Sequence, residues 1–198
     1  MNAIHSGIKR IEAIPVPLDG VLNWKGVSWP ALGIAGQIDP HGSSLPGELL
    51  PNNGLYVIRD IPFRIPRTDT EADDVISCEG QTIVLHNRCK AQSVLILGCS
   101  VFGDYMETLG LRYTEGGAFE SSVFGLTDWF QYSPGKPPLF GEEEGIVMPY
   151  FLDDEGIAGR PVALWIQRIP ADPARSLYEL QLPENPFMYI MAITLIAI

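Results

Sequence analysis

A chain of 198 residues can bury roughly 70% of the surface its unfolded form would expose, so one domain can stand without a disulfide or a metal. Its hydrophobic content of 46% excludes an intrinsically disordered chain. A net charge of -11 and a pI of about 4.6 repel a phosphate backbone and set nucleic-acid binding aside.

Residues 1–30 mix short apolar patches with Pro15, Pro17, Gly20, Gly26 and Pro30, and no helical period survives that punctuation. They read as an N-terminal extension with one or two strands. The opening MNAIHSGIKRIEAIPVP has neither a continuous apolar core nor a small-residue cleavage site, so no signal peptide is expected and the chain is assigned to the cytoplasm. Residues 31–198 read as a single domain. It begins with a long irregular loop, residues 31–51, whose ionisable groups are Asp39, His41 and Glu48; loops of this length are commonly functional.

In residues 58–85, Ile61, Phe63 and Ile65 alternate with Pro62, Arg64 and Pro66, the period of a strand with one face buried. The two prolines cannot donate to a ladder, which puts this strand at a sheet edge. An acidic, turn-prone run at 68–74 separates it from a second extended segment starting at Val75 and Ile76. Beyond Gly80 a third short strand, residues 81–85, has Ile83 and Leu85 on one face. Residues 93–97 (SVLIL) are continuously apolar, as a central strand covered on both faces would be. Leu109, Leu111 and Tyr113 then alternate with Gly110, Arg112 and Thr114. Glu115-Gly116-Gly117 is expected to supply the positive φ of a hairpin turn, and the return strand at 118–126 is closed by Thr127-Asp128-Trp129.

Residues 131–159 are rich in Pro, Gly and acid, with Glu142, Glu143, Glu144, Asp153, Asp154 and Glu155, and read as a solvated excursion. Strands return at 162–169, 177–182 and 187–196, with one helical turn expected where Pro173 follows Asp172. The apolar run 187–198 is shorter than the roughly 20 residues a bilayer requires, so no membrane span is expected. Short strands with turn signals about every eight to twelve residues, and no stretch of helical period, specify an all-β antiparallel β-sandwich of jelly-roll type.

Six stretches in order carry a family resemblance: GIAGQIDPHGSSLPGELLP, IPFRIPRTDTEADDVISCEGQTIVL, SVLILGCSVFG, LRYTEGG, LTDWF and RIPADPARSLYELQLPENPFMYIMAITL. Their order resembles that of the β-sandwich accessory domain appended to bacterial glycoside hydrolases, a galactose-binding-like, carbohydrate-binding-module-like unit, over residues 33–197. The resemblance implies a sandwich that contacts sugar or braces a catalytic domain. The sequence departs from that pattern at Glu115, where the family has Asp, and in the acidic segment after Trp129; no catalytic domain accompanies it in these 198 residues.

Two constellations could carry chemistry. Asp128 and Trp129, with Phe130 and Tyr132 following, place a carboxylate beside aromatic faces at a strand end; sugar rings stack on aromatics and offer hydroxyls to carboxylates. The same residues also suit a core plug with Asp128 capping backbone N–H groups. Asp39 and His41 could form an acid–base pair or coordinate a cation, and Asp39-Pro40 equally suits a turn. Trp165 reads as core, His86 as an exposed turn, and His5 is unassigned. Cys78, Cys89 and Cys99 fit neither a zinc nor a CxxC spacing and read as small buried thiols. No cofactor is expected beyond a structural calcium held by carboxylates and carbonyls. No G-x-S-x-G, P-loop or G-x-G-x-x-G occurs.

Three functions follow. The first is binding of a carbohydrate or glycosylated small molecule by Asp39, His41, Asp128, Trp129 and Tyr132. The second is a cyclase, lyase or isomerase with Asp39, His41 or Asp128 as acid or base in a jelly-roll pocket. The third is a non-catalytic partner of a glycosidase-like subunit, or a homo-oligomer, docking through the terminal strand or the N-terminal extension.

Overall fold

The computed structural model describes residues 11–198; His5 and the remainder of 1–10 lie outside the described residues. Strands follow in chain order: β1 (Glu12–Val16), β2 (Val27–Ser28), β3 (Leu45–Pro46), β4 (Gly54–Ile58), β5 (Ile61–Ile65), β6 (Ile76–Glu79), β7 (Thr82–Cys89) and β8 (Ala91–Ser100). Then come β9 (Tyr105–Tyr113), β10 (Glu120–Leu126), β11 (Glu143–Met148), β12 (Phe151–Asp153), β13 (Gly156–Ala158), β14 (Val162–Pro170), β15 (Leu177–Gln181) and β16 (Glu184–Ala197).

One sheet has the order β1-β16-β8-β14-β11, with β6 also on β16, and the other has the order β10-β9-β15-β7. The neighbours β6-β16-β8-β14 thus face β7-β15-β9-β10, and every one of these pairings is antiparallel. That strand order is a jelly roll.

Packing explains why β8 and β16 are apolar on both faces. Ile83, Leu85, Leu109, Leu111 and Phe124 of the smaller sheet close on Val94, Ile96, Ile190 and Ile193 of the larger one. The opposite face of the larger sheet, with Leu95, Leu97, Trp165 and Met191, is covered by a third layer of short strands and loops through Val27, Ile38, Leu45, Phe63 and Ile65. Phe63, Ile61 and Ile65 point inward as their alternation demands. Among the described residues strand β5 pairs only with β4, in a two-stranded hairpin turned by Arg59 and Asp60 at φ 51° and 62°, the left-handed pair a two-residue turn needs. The Thr194 hydroxyl ties this layer to the sheet by donating to the Pro62 carbonyl at 2.6 Å.

Several expectations require correction. Neither Gly116 nor Gly117 adopts a left-handed φ. The connection between β9 and β10 spans residues 114–119 and is closed by the Gly116 N–H on the Tyr113 carbonyl at 3.1 Å, so a longer loop replaces the tight turn. The segment 131–159 is not a solvated excursion throughout, because β11 forms an edge of the larger sheet. Glu142 is buried, its carboxylate accepting the Thr127 N–H at 2.6 Å, the Phe140 N–H at 2.9 Å and the Thr127 hydroxyl at 3.1 Å.

His86 sits within β7 rather than in a turn. Residues 172–175 form a capped turn, with Asp172 Oδ1 accepting the Ala174 N–H at 2.9 Å, and no helix. The terminal strand β16 is buried from Met188 to Ala197 between β8 and its other partners, while Glu184, Pro186 and Phe187 at its start are exposed. The three cysteines are free; burial pushes the thiols of Cys78 and Cys99 far up, which leaves them inert as nucleophiles. Among the described residues no helix is long and apolar enough to cross a membrane.

Candidate functional site

Asp39 and His41 do not form a side-chain pair. Asp39 is 4% exposed, and its Oδ1 accepts the His41 N–H at 2.8 Å and the Ser43 N–H at 3.1 Å, the bonding of an Asx turn. The carboxylate is therefore committed to shaping its own loop. The His41 ring turns outward and packs edge-on against Phe102, with ring centres 5.4 Å apart.

Asp128 is also consumed by backbone. Its Oδ1 caps the short 3-10 turn Trp129–Gln131 by accepting the Phe130 N–H at 2.7 Å, and its Oδ2 accepts the Gly103 N–H at 2.7 Å. Its own N–H donates to Asp104 Oδ1 at 2.8 Å. Burial pushes the Asp128 carboxyl above the usual range, against the pull of the Phe130 and Gly103 N–H groups. Trp129 presents no surface to a ligand: it is 0% exposed, stacked on Phe130 at 4.7 Å and tilted on Phe151 at 5.6 Å. Tyr132 leans on the buried Trp165 at 6.2 Å, and Arg160 lies over Phe130 at 4.5 Å. The aromatic corner fills the space between the larger sheet and the third layer rather than the end of the sandwich.

An aromatic ledge lies beside that corner. The Asp128–Gly103 bond, together with the Ser100 hydroxyl donating to the Gly103 carbonyl at 2.8 Å, fixes the link between β8 and β9. Phe102 at its crest has φ 61° and is 48% exposed. A bulky side chain in the left-handed region costs about 1–2 kcal/mol, so a half-exposed ring held there is kept outward at a cost in stability.

Phe187 meets Phe102 at a right angle, 5.9 Å away, and Tyr105 stacks on Phe187 at 6.0 Å. The four rings of His41, Phe102, Phe187 and Tyr105 form one continuous row. Asn185 supports the row: its Oδ1 accepts the Phe187 N–H at 3.1 Å and its Nδ2 donates to Glu107 Oε1 at 2.9 Å. The structure thus brings His41 and Asp128 to one place, through Phe102 and Gly103, and leaves Asp39, Trp129 and Tyr132 as supports. Phe102, Tyr105 and Phe187 carry no periodic or motif signal; the one cue in the chain is an aromatic followed by Gly at the end of an apolar strand.

The larger clefts are open grooves. One of about 430 Å³ runs between Ser28, Ala35, Gly36 and Gly42 and the acidic turn Asp153 to Gly156. Another of about 470 Å³ is lined by Trp24, Lys25, Gln37 and Asp73. Beneath it Lys25 Nζ pairs with the fully buried Asp74 at 2.5 Å, and desolvation still pushes the Asp74 carboxyl up to about 6. Trp24, exposed at its groove, is a further aromatic that the sequence did not single out. No group of three or more His, Cys, Asp or Glu side chains among the described residues could hold a metal ion.

The profile of the AziU2-like beta-sandwich domain matches residues 12–143, two-thirds of the chain, and the chain belongs to that family. The matched stretch holds Asp39, His41, Phe102, Tyr105 and Asp128, while Phe187 lies beyond it. No curated protein matches the chain.

Proposed function

We propose that this AziU2-like β-sandwich is a non-catalytic recognition module whose ledge of His41, Phe102, Tyr105 and Phe187 takes a carbohydrate or glycosylated small molecule. The observation that carries the reading is Phe102, exposed and left-handed at φ 61°. A sugar presents a flat face of C–H groups to such rings, and its hydroxyls would be accepted by the second oxygens of Asp104, next to Tyr105 in the chain, and Glu107, on the Tyr105 face of β9; the first oxygens hold the Asp128 N–H and Asn185. Asp128 acts as a positioning residue by holding Gly103. Asp39 Oδ1 and both oxygens of Asp128 accept backbone N–H groups, which favours a positioning role over acid–base catalysis for these two residues. A broad glycan panel followed by calorimetry tests the reading: a bound glycan should lose about 1–3 kcal/mol of affinity on Phe102→Ala. Absence of any saturable glycan would overturn it.

A second reading rests on the exposure of Phe102 and Phe187, 48% and 39%, which is apolar area where a sugar would want donors. In that reading the same rings dock a separate catalytic subunit. Co-purification that survives in wild type and is lost in Phe102→Ala and Phe187→Ser would favour it over the glycan.

A further inference from the structure

The ends of β16 carry different features. Phe187 belongs to the ledge, and Leu195, about 26 Å further along an extended strand, borders a cleft of about 240 Å³. That cleft opens where β1 of the larger sheet and β7 of the smaller one lie side by side without pairing. Its walls are Ile14, Val16, Leu85 and Leu195, with Pro15 and Pro17 along one rim. Two basic side chains complete it, Arg64 from β5 and His86 from β7.

Arg64 stands apart from the other arginines. In a chain with 24 acidic and 13 basic residues, charge pairing is easily found. Arg59, Arg67, Arg112 and Arg175 are paired with carboxylates. Arg160 and Arg168 donate to a carbonyl and a hydroxyl, and Arg88 lies over the Tyr178 ring. Arg64 alone has no such partner among the described residues, and it faces an apolar slot together with an imidazole that also has none. A guanidinium is a planar fork of donors matched to a carboxylate, and apolar walls at its foot suit a hydrocarbon tail.

We infer that this cleft is a binding site for a small amphipathic monoanion, a short-chain carboxylate whose head is held by Arg64 and His86 and whose tail lies between Val16, Leu85 and Leu195. The volume is below the roughly 300 Å³ at which drug-sized pockets begin, so the tail is short. The site is separate from the ledge, and neither depends on the other.

Hexanoate titrated into the full chain by calorimetry, with methyl resonances followed by NMR, tests the assignment. Saturable binding is expected, with shifts at the methyls of Val16, Leu85 and Leu195. Acetate, lacking the tail, and 1-hexanol and hexylamine, lacking the anionic head, should each bind at least about tenfold more weakly. Arg64→Gln should weaken hexanoate by a similar factor while thermal unfolding stays unchanged, because the side chain is exposed. The inference is overturned if hexanoate does not saturate, if hexylamine binds equally, if acetate binds equally, or if Arg64→Gln retains full affinity. Methyl shifts confined to other parts of the molecule would overturn it as well.

Discussion

The Oδ2 atom of Asp128 accepts the N–H of Gly103 at 2.7 Å, and the residue preceding that amide, Phe102, is held with its ring outward at φ 61°. A carboxylate on the turn after β10 thereby sets the shape of the link between β8 and β9. Substituting Asp128 by Ala removes the acceptor for both Gly103 and Phe130, and a lost cap or an unmet N–H costs about 1–3 kcal/mol. Asp128→Ala is expected to lower the unfolding free energy by at least about 2 kcal/mol and to accelerate hydrogen exchange at the Gly103 amide. Unchanged protection at Gly103 would show that the loop is held by other means.

Phe102 supplies a comparison with an inverted sign. Alanine and glycine at this position both remove the ring, but only glycine adopts φ 61° without a Cβ clash. Phe102→Gly should therefore be more stable than Phe102→Ala by about 1 kcal/mol, the reverse of the usual order, in paired urea unfolding curves. Equal stabilities, or a more stable alanine variant, would remove the argument from strain.

Much of this fold is legible in local pattern. The alternation of Ile61, Phe63 and Ile65, the continuous run through residues 93–97 and the turn signals between strands lead to the jelly-roll order that the sheets display. What escapes is set by distant partners. The hairpin of β4 and β5 turns on Arg59 and Asp60, with no glycine to announce it. Glu142 looks solvated among its acidic neighbours and is buried because Thr127 and Phe140 turn their N–H groups toward it. Trp129 after a strand suits a sugar platform or a plug equally well; Phe151, far along the chain, covers it. The ledge was the least legible part, since the conformation of Phe102 depends on Asp128 and its neighbours in the row come from separate strands.

Glu142 and Glu143 are adjacent acids with opposite fates. Removing Glu142 strands the N–H groups of Thr127 and Phe140 beneath the surface, whereas Glu143 is exposed on the edge strand β11. Glu142→Ala should cost about 2–4 kcal/mol and Glu143→Ala less than about 0.5 kcal/mol by chemical denaturation. Similar costs for the two would return the segment to a solvated loop.

Asp74 predicts a pH dependence. Burial outweighs the Lys25 ammonium and raises the folded carboxyl from 3.8 to about 6, so the folded chain holds this proton more tightly than the unfolded chain does. The contribution of Asp74 is greatest below pH 3.8 and is lost as pH rises through about 6. Asparagine does not titrate. The stability of wild type minus that of Asp74→Asn should therefore fall by about 3 kcal/mol between pH 3 and pH 7. A difference that grows with pH would mean that the ion pair dominates over desolvation.

Calorimetric titration of a panel-positive glycan into wild type, Phe102→Ala and Trp129→Ala tests the central claim most directly, because the first residue is assigned to the ledge and the second to the core. Phe102→Ala should lose about 1–3 kcal/mol of affinity while remaining folded. Trp129→Ala should lower stability by about 3–5 kcal/mol and, while folded, retain most of its affinity. Full affinity in Phe102→Ala, with binding abolished in a folded Trp129→Ala, would contradict the account.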